Sequence, residues 1–398
     1  MGRNRVIYQS EALYVSKNID STGSGEHAQL RRVQSANYNF SIERQDVNQF
    51  GQLARIDALV LTSPTVTLDF SYYPTDGYNE KTLGFYVRND VYGTATDGNF
   101  ASGQMGNSSG QNFYIVTAGE GSDLNTLGTG ENVLGGKTAI AIGNAFLSNY
   151  TFDASVGNLP TVSVTVEGLN IKSSTITGTT GVGAGAATGN FVDSPSILPV
   201  SGTELNKTGK LPSPTEGTGD NGNTFITALR PGDVTLSWSS YTGTGGTPIA
   251  SVAGDSSINI QSASLQLPLS RTPIERLGSK FAFARVVDFP IVATLNVSAI
   301  VNETESRSLA KMLDDNSKRD ITLTIKKPGG EGSNAMIFTL KGSQLQSESF
   351  SSSIGANKTV DLVFQTQIGG PSDTNNGIYL SGSYTTGAGG YPAGNWGY

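Results

Sequence analysis

A repeated stretch constrains this chain more than any other feature of its sequence. Residues 33–51, VQSANYNFSIERQDVNQFG, return without a gap 227 positions later as residues 260–278, IQSASLQLPLSRTPIERLG. Five positions are identical. At Tyr38, Phe40 and the neighbouring apolar positions, the second stretch also has apolar residues. Alternating apolar residues are typical of a strand with one buried face. We therefore predict one β module that occurs twice.

Further segments repeat in the same order. The alternating strand TVTLDFS returns as VATLNVS, and the segments EKTLGFYV and SRSLAKML each place apolar residues at i, i+3 and i+4. That spacing predicts a short helix in both copies, with Leu83, Tyr86 and Val87 on its buried face in the first. These helix segments are 226 positions apart, and residues 147–162 then align with residues 345–360 at a spacing of 198, so copy one holds 28 additional residues between the two points.

Composition suggests where the copies are separated. Residues 171–223 are rich in Gly, Thr, Ser and Pro, which is typical of a linker or an arm that docks on a neighbour. We predict copy one in residues 1–170, this linker or arm in residues 171–223, and copy two in residues 224–398.

The charge of the chain excludes one class of partner. A net charge of -7 and a pI near 4.9 argue against a surface that holds nucleic acid by neutralising phosphates. An acidic wall would instead repel a passing duplex. No run of eighteen apolar residues is present, and the N-terminal segment lacks the apolar core of a signal peptide. We therefore expect no membrane span and synthesis in the cytoplasm.

Residues that carry enzyme chemistry are scarce. The chain has no cysteine and one histidine, His27, which we interpret as a solvated loop residue. Residues 181–186, GVGAGA, fit a dinucleotide motif only in spacing, and Leu127 occupies a ligand position in the calcium-loop-like residues 123–128. The adjacent carboxylates at 314–315 are typical of a solvated helix end. We expect no catalytic residue, no metal site and no cofactor.

Two pairs of polar or small residues recur at equivalent positions of the repeat. Gly51 and Gly278 predict a backbone conformation with positive φ or a close approach. Arg44 and Arg271 predict a contact that is made once in each copy, such as an ion pair to a carboxylate of an adjacent subunit. A substrate contact is the alternative for the arginines.

The repeated strings carry a family resemblance. QSANYNFSIERQDVNQFGQLARID, its counterpart QSASLQLPLSRTPIERLGSKFAFAR and the stretches that close each copy resemble the major tail tube proteins of long-tailed bacteriophages. They are most similar to the subgroup in which a duplicated domain gives trimeric rings with pseudo-sixfold symmetry. The resemblance implies a mainly β fold of two tandem β-sandwich modules, each with a short helix. It also implies that the hairpins over residues 35–59 and 262–286 contribute to a shared barrel around a lumen, with Arg44, Gly51, Arg271 and Gly278 as contacts.

The resemblance also implies a function. The chain would be a virion protein whose stacked rings form a tail tube around a tape-measure protein, joined to tail-tip or baseplate and tail-terminator proteins, through which DNA passes without specific binding. Two alternatives remain open. One is a tail fibre or capsid decoration protein. The other is a carbohydrate-binding or adhesive β module, in which Tyr72, Tyr73, Trp238 and Trp396 would offer stacking platforms.

Overall fold

The computed structural model describes residues 11–17, 27–88, 98–107, 110–119, 124, 133–180, 187–214, 228–238, 250–251, 260–300, 303–304, 318–328, 334–352, 357–370 and 373–383. The fold is mainly β and its large sheet is antiparallel, which confirms the predicted class. Its elements in chain order are β1 (Glu11–Lys17), β2 (His27–Gln29), β3 (Val33–Ser41), β4 (Arg44–Val47), β5 (Asp57–Val60), β6 (Thr65–Tyr72), α1 (Tyr78–Thr82), β7 (Val87–Arg88), α2 (Ser102–Met105), β8 (Gln111–Thr117), β9 (Thr138–Ser155), β10 (Thr161–Gly168), β11 (Asn170–Thr175), β12 (Thr177–Thr180), β13 (Ala187–Asp193), β14 (Ile197–Leu198), β15 (Thr203–Glu204), β16 (Thr208–Leu211), β17 (Val234–Trp238), β18 (Ala250–Ser251), β19 (Ile260–Pro268), β20 (Arg271–Ile274), β21 (Ala284–Val287), β22 (Val292–Ile300), β23 (Glu303–Thr304), β24 (Arg319–Lys326), β25 (Asn334–Ser351), β26 (Thr359–Gln367) and β27 (Gly377–Gly382).

The repeat in the sequence is also a repeat in strand pairing. Copy one has the strand order β1-β8-β9-β10-β6-β3, and copy two has the order β17-β24-β25-β26-β22-β19. In β3 and β6, Ala36 lies opposite Phe70, and in β19 and β22 the equivalent Ala263 lies opposite Val297. Strands β9 and β25 also pair with β10 and β26 in one common register. The two copies therefore share both topology and register.

Irregularities of the strands recur as well. One extra residue interrupts the ladder at Gln34 in β3 and at Gln261 in β19. A second interruption falls at Ser148 in β9 and at Gln346 in β25. Such bulges bend a strand and fix its register. Each copy thus carries the same two bulges at equivalent positions.

The long strands β9 and β25 connect two layers of sheet. The N-terminal half of β9 pairs with β8 and β11, and its C-terminal half pairs with β10. In β25 the corresponding halves pair with β24 and β27, and with β26. The apolar residues between the layers form one core that spans both copies. The ring of Phe338 in copy two lies 5.2 Å from Phe152 and 6.2 Å from Phe100 in copy one.

Residues 171–223 contain strands in their described part. β11 pairs with β9 as β27 pairs with β25, while β12, β13 and β16 form a small separate sheet. A second buried cluster, which includes Tyr14, Tyr114 and Leu211, lies beside this sheet. His27 is buried there, and the centroid of its ring lies 5.3 Å from that of Tyr114. The ring also packs against Gly209, where a side chain would clash, because a Cβ added at this glycine would lie 2.2 Å from Cε1 of His27. The interpretation of His27 as a solvated loop residue is wrong, because tertiary packing covers it.

The helix predicted around Leu83, Tyr86 and Val87 is displaced. Helix α1 ends at Thr82 with Leu83 as its C-cap, because Gly84 has a φ of 91° and cannot continue a right-handed helix. Val87 instead begins β7, which pairs in parallel with β27. The helix predicted in copy two and the motifs at 181–186, 314–315 and 123–128, apart from Leu124, lie outside the described residues. Within the described ranges, no helix has the length and apolar character to cross a membrane.

Candidate assembly site

The two copies join strand to strand inside the chain. β19 of copy two pairs antiparallel with the C-terminal half of β9 of copy one, which places Leu265 opposite Phe152 and Leu267 opposite Tyr150. Eight strands become continuous in the order β25-β26-β22-β19-β9-β10-β6-β3, and we call this array the inner sheet. The β19–β9 contact, the internal junction, is head-to-tail because it joins two different edges of one module.

The same two edges lie at the ends of the inner sheet. β3 is the counterpart of β19, and in the described part of the chain it pairs only with β6. The last residues of β25, 344–351, are the counterpart of the β9 segment in the internal junction, and the structure pairs them with β26 alone among the described strands. An unpaired strand edge offers its N–H and C=O groups to another chain. Each chain therefore presents one edge of each kind.

Apolar side chains that are buried at the internal junction have exposed counterparts at the two outer edges. In β19, Leu265 and Leu267 are 0% exposed, whereas Tyr38 and Phe40 at the equivalent positions of β3 are 43% and 53% exposed. Across the junction, Phe152 is 0% exposed and its counterpart Phe350 is 40% exposed. The sequence predicts a buried strand face at these positions of β3, and within a single chain that prediction is wrong. β9 covers β19 in the internal junction, and among the described strands none lies beside β3 in that way.

The other face of the inner sheet is polar. It is formed by alternate residues of the eight segments 35–41, 65–71, 149–155, 161–165, 262–266, 294–298, 347–351 and 359–365, which we call the polar face. Apart from Val363, the side chains of these segments on this face are Ser, Thr, Asn, Gln and three aspartates. Glu167, the next residue of β10 on the same face, lies opposite Thr67 and forms an ion pair with Arg285 at 3.6 Å. The aspartates are Asp69, Asp153 and Asp361, all exposed, and Asp69 accepts a hydrogen bond of 2.7 Å from the hydroxyl of Thr165.

Two hairpins extend from one rim of the inner sheet. β4 and β5 turn at Gly51 and β20 and β21 turn at Gly278, with φ of 86° and 83°, so the predicted positive φ is confirmed at both glycines. Phe50 and Leu277, beside these glycines, are fully exposed. β3 and β19 run in the same direction across the antiparallel sheet. Both apolar hairpin tips therefore project from the same rim.

The recurring arginines lie at the bases of these hairpins, not at their turns. Arg271 reaches across the internal junction, where it donates hydrogen bonds to the carbonyl oxygens of Gln104 and Asn107. Its guanidinium carbon lies 4.4 Å from the ring centroid of Phe146, an attractive cation–π contact. Burial, together with the charge of Arg285, lowers the pKa of Arg271 to about 10. The partners of Arg271 are thus two carbonyl groups and a ring of copy one, together with the carbonyl of Arg285 in its own hairpin at 3.1 Å.

Arg44 occupies the same place in copy one without such a cover. It lies opposite Val60 as Arg271 lies opposite Val287, and its side chain is exposed. Of the four predicted contact residues, the structure brings Arg271 to the internal junction and leaves Arg44 and the glycine turns at the surface. The alternation of Tyr38 and Phe40 is visible in the sequence, but their exposure follows only from the strand order.

A buried carboxyl group was not evident from the sequence. Glu80 of α1 is buried and accepts hydrogen bonds from the hydroxyl groups of Tyr72 at 2.9 Å and Tyr150 at 3.3 Å. Burial raises the pKa of Glu80 to about 7. Because Tyr72 is inside the core, it cannot act as the exposed stacking platform of the carbohydrate-binding alternative. In the described part of the chain, no three His, Cys, Asp or Glu residues gather as a metal site would require.

Comparison with known proteins adds one distant likeness. No protein-family model matches the chain, and no curated protein matches it by sequence. Among solved structures, the chain is similar to the tube-terminating cap of the anti-feeding prophage, with 10% identity and a TM-score of 0.25. The similarity covers 38% of this chain and 88% of the cap. A likeness this distant leaves the function to be argued from the chain itself.

Proposed function

We propose that this protein is a structural subunit that polymerises head to tail through the two edges of its inner sheet. One observation carries the proposal: the edges that are open at the ends of the sheet are the counterparts of those joined in its middle. A head-to-tail contact repeated between copies forms a closed ring or an open helix. Edge pairing between chains also removes the exposed edges that otherwise favour aggregation. The role we assign is structural and not catalytic.

A ring of three chains is compatible with the strand number and the polar face of the inner sheet. Its apolar face is covered by the outer layer of the module, so the polar face is the one that can line a closed barrel. A barrel of eight strands is filled by its own side chains, whereas sixteen or more leave a channel. Eight strands from each of three chains, spaced ~4.8 Å apart and tilted by ~40°, give a barrel about 48 Å across between opposite backbones.

We propose further that the rings stack into the tail tube of a long-tailed bacteriophage, as the resemblance of the repeated strings suggests. The hairpin tips of one rim would pack on the opposite rim, where Val156 and Leu159 are exposed in the turn between β9 and β10. The polar face, with the three exposed aspartates across it and Glu167 beside Thr67, would repel phosphate groups and let the genome pass. A tape-measure protein inside the tube, tail-tip and terminator proteins at its ends, and a place in the virion complete the proposal.

Electron microscopy of the purified chain, with particle mass measured in parallel, tests this function. We expect hollow rings or tubes with six lobes built from three chains. Solid fibres, or single chains that coat a preformed shell, would support the fibre or decoration alternative. Binding to a glycan array by a chain that stays monomeric at all concentrations would support the carbohydrate-binding alternative.

A further inference from the structure

We propose a specific register for the contact between chains: β3 of one chain pairs antiparallel with the end of β25 of the next, with Asn37 opposite Ser351 and Tyr38 opposite Phe350. This inference rests on the proposed function, because it names the partner as a second copy of the chain. Its source is the internal junction, which joins the counterparts of these two strands.

The register follows by transferring the internal junction from one copy to the other. There, Ser264 lies opposite Asp153 and Leu265 opposite Phe152. The β19 residues correspond to β3 residues 227 positions earlier, and the β9 residues correspond to β25 residues 198 positions later. Both spacings hold in the strand pairing as well as in the sequence, because each copy pairs its strands in the same register. The transferred pairs are Asn37–Ser351 and Tyr38–Phe350.

Bulges define the register at both ends of the internal junction. The N–H of Leu269 donates to the carbonyl of the bulge residue Ser148 at 2.8 Å, and the N–H of Val156 donates to the carbonyl of the bulge residue Gln261 at 2.9 Å. The outer edges carry the equivalent bulges at Gln346 and Gln34. A slip by two residues would move the chain past these carbonyls.

A slip by one residue is opposed by the alternation of side chains. Such a slip would place Tyr38 and Phe40, which lie on the apolar side of their own sheet, beside the polar face of the next chain. In the transferred register these rings instead cover the side of the sheet on which Phe350 is exposed. Removing large apolar side chains from water stabilises the contact that buries them. Both the bulges and the apolar residues therefore favour the same register.

At one position of its apolar side, the transferred junction has a charged residue where the internal junction has an aromatic one. Leu267 lies opposite Tyr150 in the internal junction, and the corresponding pair between chains is Phe40 and Glu348. A carboxylate that packs beside an apolar ring loses water from its hydration shell. This loss costs more free energy for a carboxylate than for a tyrosine side chain.

Cysteine pairs test the register directly, because the chain contains no cysteine of its own. Opposite residues of antiparallel strands have Cα atoms about 4.5–5.5 Å apart, within the range of a disulfide. We would oxidise assembled N37C/S351C and, as a second in-register pair, N39C/S349C. N37C/S349C is the off-register control, because diagonal residues lie about 7–8 Å apart. D153C/S264C, the internal counterpart, reports a disulfide within one chain.

We expect both in-register pairs to give covalent dimers and trimers and no larger product, at least tenfold more than the off-register pair. The internal pair should remain a monomer with an intrachain disulfide. Rings that form under the microscope but crosslink best through N37C/S349C, or through neither in-register pair, overturn the register and leave the proposed function standing. Chains that neither form rings nor crosslink between chains, while the internal control does crosslink, overturn both.

Discussion

Leu267 and Phe40 occupy the same position of the two copies, yet one is fully buried and the other is half exposed. The residue types are similar, and so are the strands on which they lie. The difference arises from a neighbouring strand, which β9 supplies to Leu267 and which no described strand of the same chain supplies to Phe40. Single residues of this protein can therefore separate folding from assembly.

Charging these two positions should have different effects. Leu267→Asp places a carboxylate in a fully buried site and should lower the free energy of unfolding by several kcal/mol. Phe40→Asp should change it by about 1 kcal/mol or less and abolish assembly. Denaturant unfolding and sedimentation velocity measure the two effects. A Phe40→Asp chain that assembles like the wild type would contradict the edge contact.

Glu80 should make the stability of the module depend on pH. Its pKa is about 7 when folded and near 4.5 otherwise, so the folded chain holds a proton that the unfolded chain releases in this interval. Stability is therefore greatest below pH 4.5 and falls as the pH rises to 7, by about 3 kcal/mol in total. Unfolding of the non-assembling Phe40→Asp chain at pH 5 and pH 8 measures the change. Adding Glu80→Gln should remove most of it, and an unchanged pH dependence would contradict this role of Glu80.

At the scale of elements, the hairpins and the sheet edges have separate parts in assembly. The hairpin of copy two is held at its base by Arg271, which contacts backbone carbonyls of copy one. Arg44, at the base of the other hairpin, is exposed within the chain. By the same transfer that gives the register, Arg44 would lie near Gln344 of the next chain, the counterpart of Phe146.

A charge reversal tests this role of Arg44. Arg44→Glu should leave a folded monomer with unchanged thermal stability that assembles at least tenfold less readily, because the guanidinium contact between chains is lost. Arg271→Glu should instead lower stability, since it places a carboxylate among the carbonyl oxygens of Gln104 and Asn107. Light scattering and thermal unfolding distinguish the two. Normal tube formation by Arg44→Glu would show that the hairpin base makes no contact.

Glu348→Tyr restores at the outer edge the residue type of the internal junction. We expect the concentration at which half the chains assemble to fall at least tenfold, about 1.4 kcal/mol, because a ring replaces a carboxylate on the apolar side. Ser349→Tyr, on the polar face of the same strand, serves as the control and should give no such gain. Equal effects of the two variants would mean that Glu348 lies elsewhere in the assembled contact.

Local pattern and global pairing were predictable to different degrees. The alternation of Val66, Leu68 and Phe70 and the recurrence of Gly51 and Gly278 are local features, and the structure places them as the sequence predicts. Alternation does not specify which strand lies alongside. The joining of β19 to β9, and with it the exposure of β3, depends on contacts between residues more than a hundred positions apart, and so does the burial of His27.

At the scale of the whole molecule, the duplication would allow the same edge contact to form both within a chain and between chains. In the proposed six-module ring, half of the contacts would lie within the chains, where the linking segment would keep the partners together, and only three would form between chains. The polar face would then be continuous around the lumen, with Asp69, Asp153 and Asp361 repeated in each chain. Asp153 lies in the internal junction, opposite Ser264, whereas Asp69 of β6 and Asp361 of β26 lie on strands that take no part in either junction.

Replacing Asp69 and Asp361 by lysine should leave tubes that form normally but retain DNA. Clustered lysines neutralise phosphates, so retention should fall steeply as salt is raised. Cosedimentation of labelled duplex with assembled tubes at low and high salt measures it, with Asp→Asn at the same positions as the neutral control. Retention that is unchanged in the lysine variant would place the polar face outside the lumen.

The most direct measurement is a cryo-electron microscopy reconstruction of the assembled chain in which individual strands are resolved. The account predicts a closed barrel with eight strands from each of three chains, the polar face toward the lumen, and β3 of each chain hydrogen-bonded to the end of β25 of the next. An assembly held together by other surfaces, in which β3 and the end of β25 stay unpaired, would contradict it.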